Sequence, residues 1–175
     1  VISSLIDDNT SRQGGGIFQD GNTEIHGSTI SRNSADFGGG IYYFSGLVAN
    51  ISHSTITLNQ STDAGNGLFL RGNTLRLNHT IVAGNVGVPA GDVTAQPGRT
   101  IQARYSLIGH NESTGLSEAP VGAPDANGNL IGGPVHGVID PLLGPLADNG
   151  AFAGQPGDQC GGFQRHGGRR RRAGV

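Results

Sequence analysis

The chain has 175 residues, enough for one domain, and is rich in glycine (32 residues) and poor in aromatics (5%), with no Met or Trp. Its net charge of −2 divides unevenly: residues 1–150 hold six Arg against twelve acidic residues, residues 151–175 hold five Arg against one Asp, and there is no Lys. The acidic body excludes a basic nucleic-acid-binding face, no apolar run approaches the roughly 18 residues of a membrane-spanning helix, and the single Cys160 forms no internal disulfide.

Glycine at this density fits a low-complexity chain, but the apolar residues recur at fixed places, which marks a folded one. The phrase Ser/Thr-x-Ile/Val-x-x-Asn starts at Ser4, Ser28, Ser54, Thr80 and Ser106, and its asparagines, Asn9, Asn33, Asn59, Asn85 and Asn111, fall 24, 26, 26 and 26 residues apart. Self-similarity at that period is the signature of a stacked-repeat architecture. No initiator Met or signal peptide precedes Val1, which aligns with Ile25 inside a repeat, so the chain reads as a piece of something longer.

Each repeat opens with an alternating segment, Thr23-Glu24-Ile25, Ala49-Asn50-Ile51, Leu75-Arg76-Leu77 and Ile101-Gln102-Ala103, whose period of two predicts a strand. The Ile-x-x-Asn phrase follows as a second strand. A glycine turn then leads into a third: Gly14-Gly15-Gly16-Ile17-Phe18, Gly38-Gly39-Gly40-Ile41-Tyr42, Gly65-Asn66-Gly67-Leu68-Phe69 and a faded Gly91-Asp92-Val93. No window carries a helical stripe. The expected fold is all-β, a right-handed single-stranded parallel β-helix of about four to five coils of 24–26 residues, three short strands to a coil.

Stacking predicts an inward column of Ile6, Ile30, Ile56, Val82 and Ile108, and a second of Ile25, Ile51, Leu77 and Ala103. The five asparagines are expected to form a hydrogen-bonded ladder at a turn, because Asn tolerates the left-handed backbone region and its amide both donates and accepts. Several of them, such as Asn59-Gln60-Ser61 and Asn111-Glu112-Ser113, also read as Asn-x-Ser/Thr, which the ladder accounts for without glycosylation. Residues 1–111 are thus read as coils. Register fails from Glu112, and residues 112–150, with Pro120, Pro124 and Pro134, read as a loop-rich C-terminal coil or cap whose apolar residues around Val135-His136-Gly137-Val138-Ile139 and Leu142-Leu143 close the stack. Residues 151–175, ending in four consecutive arginines, read as a disordered Gly/Arg-rich tail.

The pairing of Gly-Gly-Gly-Ile (Gly38 to Ile41) with Ile-x-x-Asn (Ile30 to Asn33, Ile56 to Asn59) resembles the repeats of polymorphic outer membrane proteins and related bacterial right-handed β-helix surface proteins. Asp140-Pro-Leu-Leu-Gly-Pro-Leu-Ala-Asp-Asn-Gly150 is similar to the segment that follows such repeats in choice-of-anchor type secreted proteins. The resemblance implies an extracellular or outer-surface location. From Ala151 the chain departs from that pattern, as a natural truncation with a tail or as a shift of reading frame; the Lys-free, Arg-only composition suits the latter.

Parallel β-helices also carry polysaccharide lyases and hydrolases, which need carboxylates converging on one outer face. The columns under Asp7 (Ser31, Thr57, Ala83, Gly109) and Asp8 (Arg32, Leu58, Gly84, His110) supply none, which leaves Asp36 and Asp63, 27 residues apart in equivalent turns, as the nearest approach. His53 and His79 stack one coil apart, and two imidazoles without a third ligand make a surface stack rather than a zinc site. No metal or cofactor is expected. The expected function is non-catalytic: adhesion, or binding of a polysaccharide or a host or cell-surface protein, by turns that vary between coils. Tyr43, Phe44, Asp36 and Asp63 are the candidate contacts, with Tyr43 taken as an exposed stacking face. A carbohydrate-active enzyme and a structural spacer are the alternatives.

Overall fold

The computed structural model describes residues 1–146. The compact unit Val1–Leu142 is an all-β parallel solenoid of about five coils, and no residue described is helical. Tail residues 151–175, with their expected disorder, lie outside the described residues, as do residues 147–150. Leu143–Leu146 carry no regular secondary structure.

The three expected strands per coil are present, each paired in parallel with its equivalent one coil away. Sheet 1 comprises Thr23–His26, Val48–Ser52, Thr74–Asn78 and Thr100–Arg104. Sheet 2 comprises Leu5–Asp7, Thr29–Ser31, Thr55–Thr57, Ile81–Val82, Leu107–Ile108 and Leu130–Ile131. A fourth set, Ser34–Phe37, Gln60–Ala64 and Val86–Gly87, forms sheet 3 between the asparagine and the glycine turn. Its polar residues show no apolar alternation, so only the backbone pairing reveals it. Sheet 4 comprises Ile17–Asp20, Ile41–Ser45, Leu68–Leu70 and Val93–Ala95.

The predicted inward columns are in register: Ile6 pairs with Ile30, Ile30 with Ile56, Val82 with Ile56 and with Ile108, and Leu77 with Ile51 and with Ala103. Ile131 extends the first column by one rung. Ile30, Ile56, Leu75, Leu77, Val82 and Ile108 are completely excluded from solvent. Burying each such side chain contributes roughly 1.5–3 kcal/mol, which no coil obtains alone.

All four corners of a coil carry positive-φ residues, glycines Gly21, Gly46 and Gly98 at the corner between sheets 4 and 1, and in the other three the same position repeats from coil to coil. Ser3, Gly27, His53, His79 and Tyr105 take φ from 46° to 57° between sheets 1 and 2. Asp8, Arg32, Leu58 and Gly84 take φ from 54° to 70° between sheets 2 and 3, and Gly14, Gly38 and Gly65 take 62° to 67° before sheet 4. The left-handed residue is therefore the one preceding each ladder asparagine, not the asparagine itself. Freed of that role, the asparagine turns its amide inward along the stack.

The ladder runs from Asn9 to Asn85. The Nδ2 of Asn9 donates to Asn33 Oδ1 at 2.9 Å, Asn33 to Asn59 at 3.0 Å and Asn59 to Asn85 at 2.9 Å, and each backbone N–H of the three donates to the same oxygen. The third glycine of each turn lies against it: a Cβ on Gly16, Gly40 or Gly67 would approach the amide of Asn33, Asn59 or Asn85 to 2.9, 2.9 or 2.6 Å. The two repeat signatures are thus one structure, since the ladder occupies the space a side chain there would need.

Asn111 does not belong to it. The Asn85 Nδ2 and N–H donate instead to Oδ1 of Asp92, each at 2.8 Å, while Asn111 Nδ2 donates to the Leu116 carbonyl at 2.7 Å. Asp92 is 2% exposed and burial pushes its carboxyl up from the ordinary value, against the pull of the Asn85 donors and the nearby His110.

The end of the stack is closed differently from expectation. Ala119, Ile131 and Ile139 are buried, whereas Val135, Val138 and Leu142 are exposed. Two carboxylates shape the loops: Glu118 accepts from the N–H groups of Val135 and His136 and contacts His136 Nδ1, and Asp125 accepts from Asn127 and Asn129. Hydrogen bonds to the charged form hold both carboxyls below their ordinary values.

Candidate binding face

Parallel pairing in register places like residues one above another, and on the outer face of sheet 4 those residues are aromatic. Phe18 pairs with Tyr42 and Tyr42 with Phe69. The Tyr42 and Phe69 rings stack at 5.2 Å and 11°, and Phe18 lies 5.5 Å from Tyr42. Phe37, at the end of sheet 3, packs 5.7 Å from Phe69, and Phe44 packs 5.7 Å from Phe18. Five of the seven aromatic residues in the described range gather here. Tyr42 and Phe69 are covered by the others, Phe37 and Phe44 are half-buried and Phe18 is 48% exposed.

Tyr43 is not part of this face. It is 1% exposed and belongs to the interior with Ile41, because residues 41 and 43 of a strand share a side. The register gave the parity: Ile17, Ile41 and Leu68 follow equivalent glycine turns and point inward, so Tyr42 and Phe44 point out. Gly46 and Gly72 make room for the Tyr43 ring and hydroxyl. That hydroxyl has no hydrogen-bond partner among the described residues, and burial raises its pKa.

Beside the aromatic face, the turns joining sheet 4 to sheet 1 in three successive coils border an open cavity of about 380 Å³ lined by Phe44, Ser45, Gly46, Leu47, Arg71, Gly72, Asn73 and Arg99. The Arg71 guanidinium sits 4.5 Å over the Phe44 ring, and Arg99 donates to the Asn73 side chain at 3.0 Å. Both are exposed, and among the described residues no carboxylate lines the cavity. The sequence reading missed these arginines: they lie 28 residues apart, in corners of unequal length where the repeat carries no signal.

The two carboxylates expected as a pair, Asp36 and Asp63, lie in the irregular stretch of sheet 3. Asp36 receives a 3.5 Å hydrogen bond from Thr62 and lies 3.8 Å from Arg12 Nε, while a register irregularity in sheet 3 faces it with both Thr62 and Asp63. Asp63 itself is exposed.

The histidines stack as expected. His53 and His79 lie 4.9 Å apart at 6°, Tyr105 continues the stack at 5.1 Å, and His26 meets His53 edge-on at 5.1 Å. Among the described residues no group of three or more His, Cys, Asp or Glu side chains is placed to hold a metal ion, and no helix is long and apolar enough to cross a membrane. Compared with known protein families, curated proteins and solved structures, the chain shows no match.

Proposed function

We propose that this chain is a non-catalytic binding segment of a secreted or surface-displayed bacterial protein, in which a rigid solenoid carries a polysaccharide or cell-surface protein ligand on one outer face. The observation that carries the reading is the aromatic cluster on the outside of sheet 4. In a fold that buries its aliphatics inside, five aromatics collected on the outer surface, ending in the half-exposed Phe18, form an apolar platform. The surface location rests on the resemblance of the glycine and asparagine repeats. The platform's rigidity favours binding, because few side chains lose freedom when a ligand settles on it.

The test incubates the full chain with acidic and neutral polysaccharides, with and without calcium, following retention in affinity electrophoresis together with new reducing ends and unsaturated products. Retention without cleavage is expected. Calcium-dependent cleavage would overturn the reading in favour of a polysaccharide-cleaving enzyme and direct attention to Asp36 and Asp63.

A further inference from the structure

We infer that the cavity between Phe44, Arg71 and Arg99 is an anion subsite, which takes a carboxylate or sulfate group carried on a sugar ring of the bound polysaccharide. This deepens the binding function proposed above and rests on it.

Six arginines lie in the described range, and two are matched by carboxylates, Arg12 with Asp36 and Arg32 with Asp7. Arg71 and Arg99 instead line one cavity in a body that is acidic overall, with only neutral groups beside them. Asp20, on the adjoining turn, accepts from the Ser45 hydroxyl and is not among the residues lining the cavity. Two guanidinium groups that line one cavity without a carboxylate on its walls make it positive, and an anion held there is attracted to both. The guanidinium fork suits carboxylate and sulfate oxygens, and charge-assisted hydrogen bonds of this kind are about twice as strong as neutral ones.

Placement identifies the rest of the ligand. Arg71 covers one face of Phe44 and Phe18 covers the other side, so a group bound to Arg71 is carried directly onto the edge of the aromatic platform. Leu47, 66% exposed, gives the cavity an apolar rim, while Asn73 and Ser45 offer hydrogen-bonding groups suited to hydroxyls. An anionic group attached to a polyhydroxylated ring with apolar faces satisfies all of these at once. A nucleic acid is disfavoured, since its backbone charge would run on from the cavity across an acidic surface.

The experiment measures binding of the full chain to polygalacturonate, to its fully methyl-esterified form and to dextran sulfate, by calorimetry at fixed ionic strength. Arg71→Gln and Arg99→Gln are compared with Arg76→Gln, which removes the same charge from a side chain that bonds Gln102 on sheet 1, outside the cavity. Binding of at least one polyanion is expected, weakened about tenfold by either cavity substitution and less than twofold by Arg76→Gln. A preference between polygalacturonate and dextran sulfate identifies the anion as carboxylate or sulfate. Equal binding of the esterified, uncharged polymer would overturn the anion subsite. So would polyanion binding that all three substitutions weaken equally, since that is general charge attraction; in either case the binding function would stand. Failure to bind any of the three polymers would overturn the anion subsite and, with retention also absent across the wider polysaccharide panel, the polysaccharide form of the binding function.

Discussion

The asparagine column behaves differently at its two ends, although its sequence spacing is constant. From Asn9 to Asn85 every amide is received by the next one, at 2.9–3.0 Å. One step later the sequence offers Asn111 at the same spacing of 26, and the structure uses Asp92 in its place. What changes is the corner. Asp8, Arg32, Leu58 and Gly84 hold the left-handed conformation that turns the following asparagine inward, whereas His110 does not. Asn111 therefore faces the loop of residues 112–116, where Thr114 and Leu116 engage it. A repeat in sequence marks where a residue falls along the coil, and the corner before it decides which way that residue points.

Breaking the column at its middle should have the largest effect. Asn59 is fully buried, receives two donors from Asn33 and gives its Nδ2 to Ile30, Thr57 and Asn85. Asn59→Ala strands several of those groups and is expected to cost about 3–5 kcal/mol in urea unfolding. Asn111→Ala, despite its identical place in the repeat, should cost only about 1–2 kcal/mol. Equal losses would show that the two ends are energetically the same.

Gly40→Ala probes the same comparison from the other side. Its new Cβ would press on the Asn59 amide and on the Gly67 carbonyl, so a destabilisation of about 1–3 kcal/mol is expected. A variant as stable as the parent would mean that the glycine turn is kept for its backbone alone.

Asp92→Asn sharpens the difference at the ladder's end. With its folded-state pKa raised by burial, Asp92 holds a proton at pH values where the unfolded chain has released it. Its contribution to stability therefore falls as pH rises from the ordinary aspartate range through the raised value. Asparagine keeps the oxygen that Asn85 needs and removes the charge. The variant should accordingly have a higher urea midpoint than the parent near neutral pH and the same midpoint below the aspartate range. A lower midpoint at neutral pH would contradict this. At the cap the sign reverses: Glu118 is held below its ordinary value, so its bonds persist above that range and are lost as pH falls through the lowered value. Faster amide exchange at Val135 and His136 on acidification, with the coils unaffected, is the small effect expected there.

The strands, the inward columns and four of the five ladder positions were legible because buried, stacked positions repeat the same residue types. Sheet 3 was not, since its strands are held by backbone bonds and repeat no side-chain pattern. Tyr43 was misplaced as an exposed stacking face because the alternation was not counted from Ile41, which turns residue 43 inward. The cavity at Arg71 and Arg99 was invisible for a third reason: it is built where coils differ, and periodicity is silent there.

The claim that the outer face of sheet 4 carries binding while the columns carry stability is tested most directly by Phe18→Ala. Phe18 is half exposed on the platform, so its loss should change unfolding free energy by less than about 1 kcal/mol. Calorimetry of the full-length variant on the polysaccharide that the parent binds should then show about tenfold weaker affinity with the melting temperature nearly unchanged. Undiminished affinity in a folded variant would contradict the account and move the binding site away from the aromatic face.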